Sequence, residues 1–143
     1  MWKETWKSLT NVLKDWKIQP EKTPILNLRN FTMDEFRCKC CGSLAMSGEF
    51  LKRLDRARTI AKIPFVIVSG YRCSKHNQAI GSKPTSSHLS GLAADIACTS
   101  DTDRYRIIIS CIAVGIKRIG IYRSFLHVDL DPKKSSRCIW YGE

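Results

Sequence analysis

Apolar positions along the chain follow first a helical period and later an alternating one. Trp2, Trp6, Leu9, Leu13 and Trp16 fall at steps of four and three, which places them on one face of an amphipathic helix over residues 1–18. Lys3, Lys7, Lys14 and Lys17 occupy its other faces. The stripe is expected to dock on the rest of the domain; the other reading is an interfacial helix, with its tryptophans among lipid headgroups and its lysines on an anionic membrane surface. Pro20 and Pro24 make the next stretch an extended linker. The chain thus divides into residues 1–25, helix and linker, and 26–143, a single domain.

Within that domain Ser47 is an expected N-cap, followed by a helix that buries Phe50, Leu54, Ala57 and Ala61 and ends at Pro64. Phe65 to Val68 reads as a short apolar strand. Residues Ser69 to Ser90 are too rich in Gly, Ser, Lys and Asn to be core, and read as a long loop of the kind that often carries chemistry. Ala93 to Ala97 returns to a strand, with Asp95 in its middle. Asp101 or Thr102 is expected to cap a further helix to about Val114, stopped by Gly115. Ile116–Tyr122 and Leu126–Leu130 read as a hairpin turning at residues 123–125. The pattern is that of an α+β fold: one domain with a small, mostly antiparallel sheet flanked by helices.

Composition narrows the function classes. The 143 residues suffice for one self-supporting core, and no apolar run approaches the roughly 20 residues of a membrane span. The N-terminus mixes charge through its apolar residues and lacks a secretory core, so the protein is expected to be made in the cytoplasm without a signal peptide. With 24 Lys+Arg against 13 Asp+Glu the net charge is +11, which favours a polyanionic partner. The basic residues are scattered in runs of at most two, so no specific nucleic-acid partner is expected. Seven cysteines include a cluster, Cys38, Cys40 and Cys41, while Cys73, Cys98, Cys111 and Cys138 are dispersed. A structural zinc site commonly uses two spaced pairs, and no second pair is present. The cluster is therefore expected to be a knuckle-like turn with free thiols, a second metal or a disulfide being the lesser alternative.

Two of the three histidines sit beside carboxylates. His88 lies seven residues before Asp95, and His127 and Asp129 project from the same face of one strand. A carboxylate buried between Ala94 and Ile96 is costly unless paired, and a divalent cation would remove that cost. Two imidazoles and a carboxylate suit Zn²⁺ and leave a fourth position for water. From residue types alone, a core histidine bonded to a buried aspartate fits as well.

The run SSHLSGLAAD at 86–95, preceded by SGYR at 69–72 and followed by HVD at 127–129, resembles the zinc D-Ala-D-Ala carboxypeptidase and peptidoglycan endopeptidase family, which shares its fold with the hedgehog signalling domain. Gly120-Ile121-Tyr122, Arg137, Trp140 and the CKCCG segment are similar to its small murein-hydrolase branch, so that the likeness spans about Leu26 to Trp140. The resemblance implies one Zn²⁺ per chain held by His88, Asp95 and His127. It places Arg72 in the cleft as a catalytic and substrate-binding residue, on a substrate carboxylate or the developing oxyanion, and Ser86 beside the metal or substrate. His76 matches a variable loop position and is expected to be structural or exposed.

One departure stands out. Many members carry Glu or Asp three residues before the last ligand histidine as general base; here that residue is Ser124. Asp129 is then assigned as base or as the group orienting His127. The implied activity is metal-assisted hydrolysis of amide bonds in bacterial peptidoglycan, in stem peptides or cross-links, by a monomer acting on the wall as a phage-type lysis enzyme would. The alternative is a non-catalytic zinc-binding module of a wall-binding or virion protein.

Overall fold

The computed structural model describes residues 26–143, and the expected amphipathic helix at 1–18 lies outside the described residues. Ser47 does cap the first α-helix, α1 (Gly48–Ala61), its hydroxyl accepting from the Phe50 N–H at 3.3 Å. Phe50, Leu51, Leu54, Ala57 and Ala61 form its buried face. The helix ends at Lys62, which takes a left-handed conformation (φ 55°), so the stop comes before Pro64. The helix α3 (Asp101–Ala113) starts one residue later than a cap at Ser100, whose side chain accepts from the Asp103 N–H. Neither Asp101 nor Thr102 is the cap. Gly115 follows its end at φ +86°.

Among the described residues five strands form one sheet: β1 (Ile67–Ser69), β2 (Ala93–Ala97), β3 (Arg118–Ile121), β4 (Phe125–Asp129) and β5 (Cys138–Tyr141). Their order is β1-β2-β4-β3-β5, antiparallel throughout except for the parallel pair β3/β5. The strand expected at Phe65–Val68 begins two residues later, because Phe65 leads into the sheet as a core residue (1% exposed). The polar stretch 69–90 is not loop alone. It holds a short helix α2 (Ser74–Ala79) and a 3-10 turn, Ser87–Ser90. The strand β5 had no counterpart among the expected elements.

Alternation divides the sheet's faces by chemistry. Ala94, Ile96, Ile119, Leu126 and Val128 join Phe50, Leu51, Leu54, Ile107 and Cys111 in one core beneath α1 and α3. The opposite face carries the polar residues in two rows across the strands. One row is Ser69, Asp95, His127, Gly120 and Trp140; the next is Ala93, Asp129, Arg118 and Cys138. No helix among the described residues is long and apolar enough to cross a membrane.

Candidate metal centre

The first of those rows builds most of the site. Antiparallel pairing sets Asp95 of β2 directly opposite His127 of β4, although 32 residues separate them in sequence. His88 arrives from outside the sheet, on the 3-10 turn 87–90. Ser86 caps that turn by accepting from the His88 N–H, and Gly91 closes it at φ +66°. Gly91 admits no side chain: a Cβ there would stand 1.8 Å from the Ala45 carbonyl oxygen. The turn is thus pressed against the segment that leads into α1, and His88 is held nearly buried (2% exposed).

The hydrogen bonds determine what His88 presents. Its Nδ1 lies 2.7 Å from the Gly70 carbonyl oxygen, which can only accept, so Nδ1 carries the proton and donates it there. In the neutral ring Nε2 then offers a lone pair, and it faces the Asp95 carboxylate Oδ1 at 3.2 Å. His127 Nδ1 meets the same oxygen at 2.8 Å. One ligand atom from each of His88, Asp95 and His127 lies within 4.8 Å of the other two. Acceptors converging in a buried place need a proton or a cation between them, and two imidazole nitrogens with one carboxylate oxygen are a donor set that fits Zn²⁺.

Charges around the cluster keep it ionised. Burial pushes the Asp95 carboxyl up, but the His127 and His88 rings beside it overcome that and hold the group below the usual carboxylate range. Burial likewise works against a charged His127, yet its contacts with Asp129 and Asp95 raise it above the ordinary imidazole value. Arg72 completes the arrangement from the side: its Nη2 donates to Asp95 Oδ2 at 3.0 Å and its Nε to Ser69 Oγ at 2.9 Å. Asp95 therefore turns one oxygen to the histidines and the other to Arg72.

Asp129 stands behind His127. His127 Nε2 lies 3.0 Å from Asp129 Oδ2, while Oδ1 accepts from Arg118 Nε at 2.8 Å and from the Asp131 N–H at 3.0 Å. Its side chain is wholly shielded from solvent. Burial raises the Asp129 carboxyl, and His127 and the Asp131 amide outweigh that and lower it.

The mouth of the site is a cleft of about 600 Å³ lined by Arg72, Ser82, Lys83, Ser86, His88, Asp95, Tyr122, Phe125, His127, Lys134 and Trp140. Asp129 is not on its wall, and among the described residues Asp95 is the only carboxylate that is. Ser124 is exposed in the β3–β4 turn, and His76 is half-buried on α2, outside the cleft.

Several contacts of the site carried no local signal. Trp140 tilts against His127 at a centroid distance of 5.7 Å, and its indole lies across Gly120, where a Cβ would meet it at 2.7 Å. Arg118 stacks beneath the same indole at 5.1 Å while holding Asp129. Ser87, buried, donates to Asp131 at 2.7 Å and accepts from Lys134 at 2.9 Å, tying the histidine turn to the segment after β4. The family resemblance marks Trp140 without placing it at the site, and Arg118 is marked only by the alternation that sets it on the same sheet face as Trp140, which needs the register of β5.

A family model described as Peptidase M15 matches residues 29–131 of the chain, from the segment before α1 to just beyond β4. No curated protein matches it.

Proposed function

The chain belongs to the peptidase M15 family, and we propose that it is a zinc-dependent peptidase of bacterial peptidoglycan with His88, Asp95 and His127 as the metal's ligands. The observation that carries this reading is the buried Asp95 Oδ1 approached by His88 Nε2 at 3.2 Å and His127 Nδ1 at 2.8 Å. When bound there, Zn²⁺ supplies Lewis-acid activation of water and of the scissile carbonyl.

The chain's own residues do the rest. The Gly70 carbonyl fixes the His88 tautomer, and Asp129 fixes that of His127 by accepting from Nε2. Asp129 is thus read as a positioning residue for the ligand, the second of the two roles assigned to it from sequence; its enclosure by Arg118 and Asp131 supports this. Arg72 aligns Asp95 and keeps Nη1 toward Ser82 at the cleft wall, where a planar cation can also receive a substrate carboxylate or stabilise an oxyanion. Ser86 serves by capping the His88 turn. Lys83 and Lys134 add positive charge to the cleft, and Trp140, Tyr122 and Phe125 give it an apolar wall. A basic cleft with one apolar side suits stem peptides, which carry carboxylates and small apolar side chains. The net charge of +11 favours residence on an anionic wall; we place its action there, after release of the kind phage lysis enzymes use.

A second reading is a zinc-binding module without turnover. It is favoured by a cleft wall with no carboxylate besides Asp95 among the described residues and by Ser124 at the position where many members of the resembled family have a base.

The deciding experiment digests purified peptidoglycan with protein, protein plus chelator, and chelated protein restored with zinc, and identifies the products by mass spectrometry. Chelator-sensitive release of D-Ala or of uncross-linked stem peptides, absent in His88→Ala, is expected. Intact wall from several bacterial types in the presence of one zinc at the histidine site would reject catalysis in favour of the binding module.

A further inference from the structure

A second cluster of metal-binding donors lies outside the cleft. The sulfurs of Cys38, Cys40, Cys41 and Cys73 all fall within 4.8 Å of one another. Cys38 and Cys40 are 3.7 Å apart and Cys40 and Cys73 3.4 Å, sulfur to sulfur. A tetrahedral tetrathiolate with metal–sulfur bonds of about 2.3 Å requires sulfurs spaced by about 3.8 Å, whereas a disulfide requires about 2.05 Å. Both distances lie near the ligand spacing and far from a disulfide, and all four cysteines are free.

The backbone is shaped for this convergence. The Cys38 N–H bonds to the Ser43 carbonyl at 2.8 Å and the Gly42 N–H to the Cys38 carbonyl at 2.9 Å, a tight reversal that needs Gly42 at φ +71°. It gathers Cys38, Cys40 and Cys41 on one side. Cys73 comes from the other direction, at the start of α2. Backbone amides aim at the sulfurs: the Cys73 N–H at Cys38 Sγ and the His76 N–H at Cys73 Sγ, each at 3.4 Å.

We propose that Cys38, Cys40, Cys41 and Cys73 form a second, structural site that takes Zn²⁺ as a tetrathiolate. Four protein ligands leave no open position, so the ion there holds chain segments together and does no chemistry. The segments it joins are those supporting the first site. Cys73 directly follows Arg72, and the Tyr71 N–H bonds to the Phe36 carbonyl at 2.9 Å. Gly70, whose carbonyl orients His88, lies so close to Phe36 that a Cβ would come within 2.6 Å of its Cα. The site clamps the 36–41 turn to the stretch 70–73.

The test is independent of peptidase activity. Full-length protein, prepared anaerobically under reduction and loaded with zinc, is expected to hold two zinc ions per chain by elemental analysis. His88→Ala is expected to retain one. Cys40→Ser and Cys73→Ser should each also drop to one and melt at lower temperature. Cobalt(II) in place of zinc should give an intense thiolate-to-metal charge-transfer band, kept in His88→Ala and abolished in the cysteine variants. Should a cysteine variant fail to fold, the cobalt spectrum of the wild-type chain decides by itself. A wild-type chain with no such band, or with a Cys40–Cys73 disulfide in the reduced preparation, overturns the proposal. Loss of the histidine-site metal alone would instead refute the first site and leave this one standing.

Discussion

Replacing Asp129 by asparagine separates a positioning carboxylate from a catalytic base. The carboxylate accepts three hydrogen bonds, from His127 Nε2, Arg118 Nε and the Asp131 N–H. An asparagine oxygen in the Oδ1 place keeps the last two, but its amide nitrogen then faces the Nε2 proton of His127, donor against donor. His127 must rotate or move its proton to Nδ1, the nitrogen that faces Asp95. Loss of such an outer partner lowers metal affinity or activity by about 10- to 100-fold, or roughly 1.4–2.7 kcal/mol. The two opposed donors, and an Arg118 whose acceptor has lost its charge, cost about 1–3 kcal/mol of folding stability, which for a chain of this size lowers Tm by roughly 3–10 °C. Zinc affinity is read by competition with a chromophoric chelator, stability by calorimetry and turnover on a stem peptide. Weakened zinc binding with a parallel fall in turnover is expected. An unchanged zinc affinity and Tm, with turnover reduced more than 100-fold, would refute the positioning role and make Asp129 the base.

Two further substitutions probe the frame of the site. Gly91→Ala places a side chain at φ +66° and 1.8 Å from the Ala45 carbonyl oxygen; the left-handed strain of about 1–2 kcal/mol and overpacking of about 1–3 kcal/mol should lower Tm by roughly 6–15 °C, and a wild-type melting curve would contradict the packing described. Arg72→Lys keeps the charge but cannot hold Ser69 and Asp95 together. Its kcat/KM on a stem peptide is expected to fall at least about tenfold, the loss of about 1.4 kcal/mol, while zinc stays bound; an unaltered kcat/KM would show that Arg72 neither aligns Asp95 nor meets substrate.

Much of the scaffold was legible along the chain because burial leaves a local periodic trace. The Ser47 cap and the face Phe50, Leu54, Ala57 and Ala61 are set by hydroxyl chemistry and the 3.6-residue repeat, and they stand as expected. The alternation of β4 likewise put His127 and Asp129 on one face before any contact was known, and the two side chains do touch. Residue types left a metal site and a histidine–aspartate core pair equally open, and the structure does bring His88, Asp95 and His127 together as a candidate set of ligands. Cap and strand boundaries slipped by a residue or two, as at Ser100 and Phe65, because neighbouring hydroxyls and apolar residues compete on nearly equal terms.

What only the tertiary structure decided is everything that depends on which distant segments meet. Strand register put Asp95 opposite His127 and inserted β5 so that Trp140 and Arg118 reached the site face. Asp129 could have pointed into the cleft as a base; Arg118 and the Asp131 amide close around it instead. Arg72 was expected at the substrate and is found on Asp95 as well as at the cleft wall. Cys73 lies 33 residues from Cys40, and nothing in its own neighbourhood marks it as the fourth member of a cluster. Hydrophobic period and capping chemistry act over one or two turns of chain, whereas a site's partners are chosen by sheet pairing and packing, which depend on the whole sequence at once.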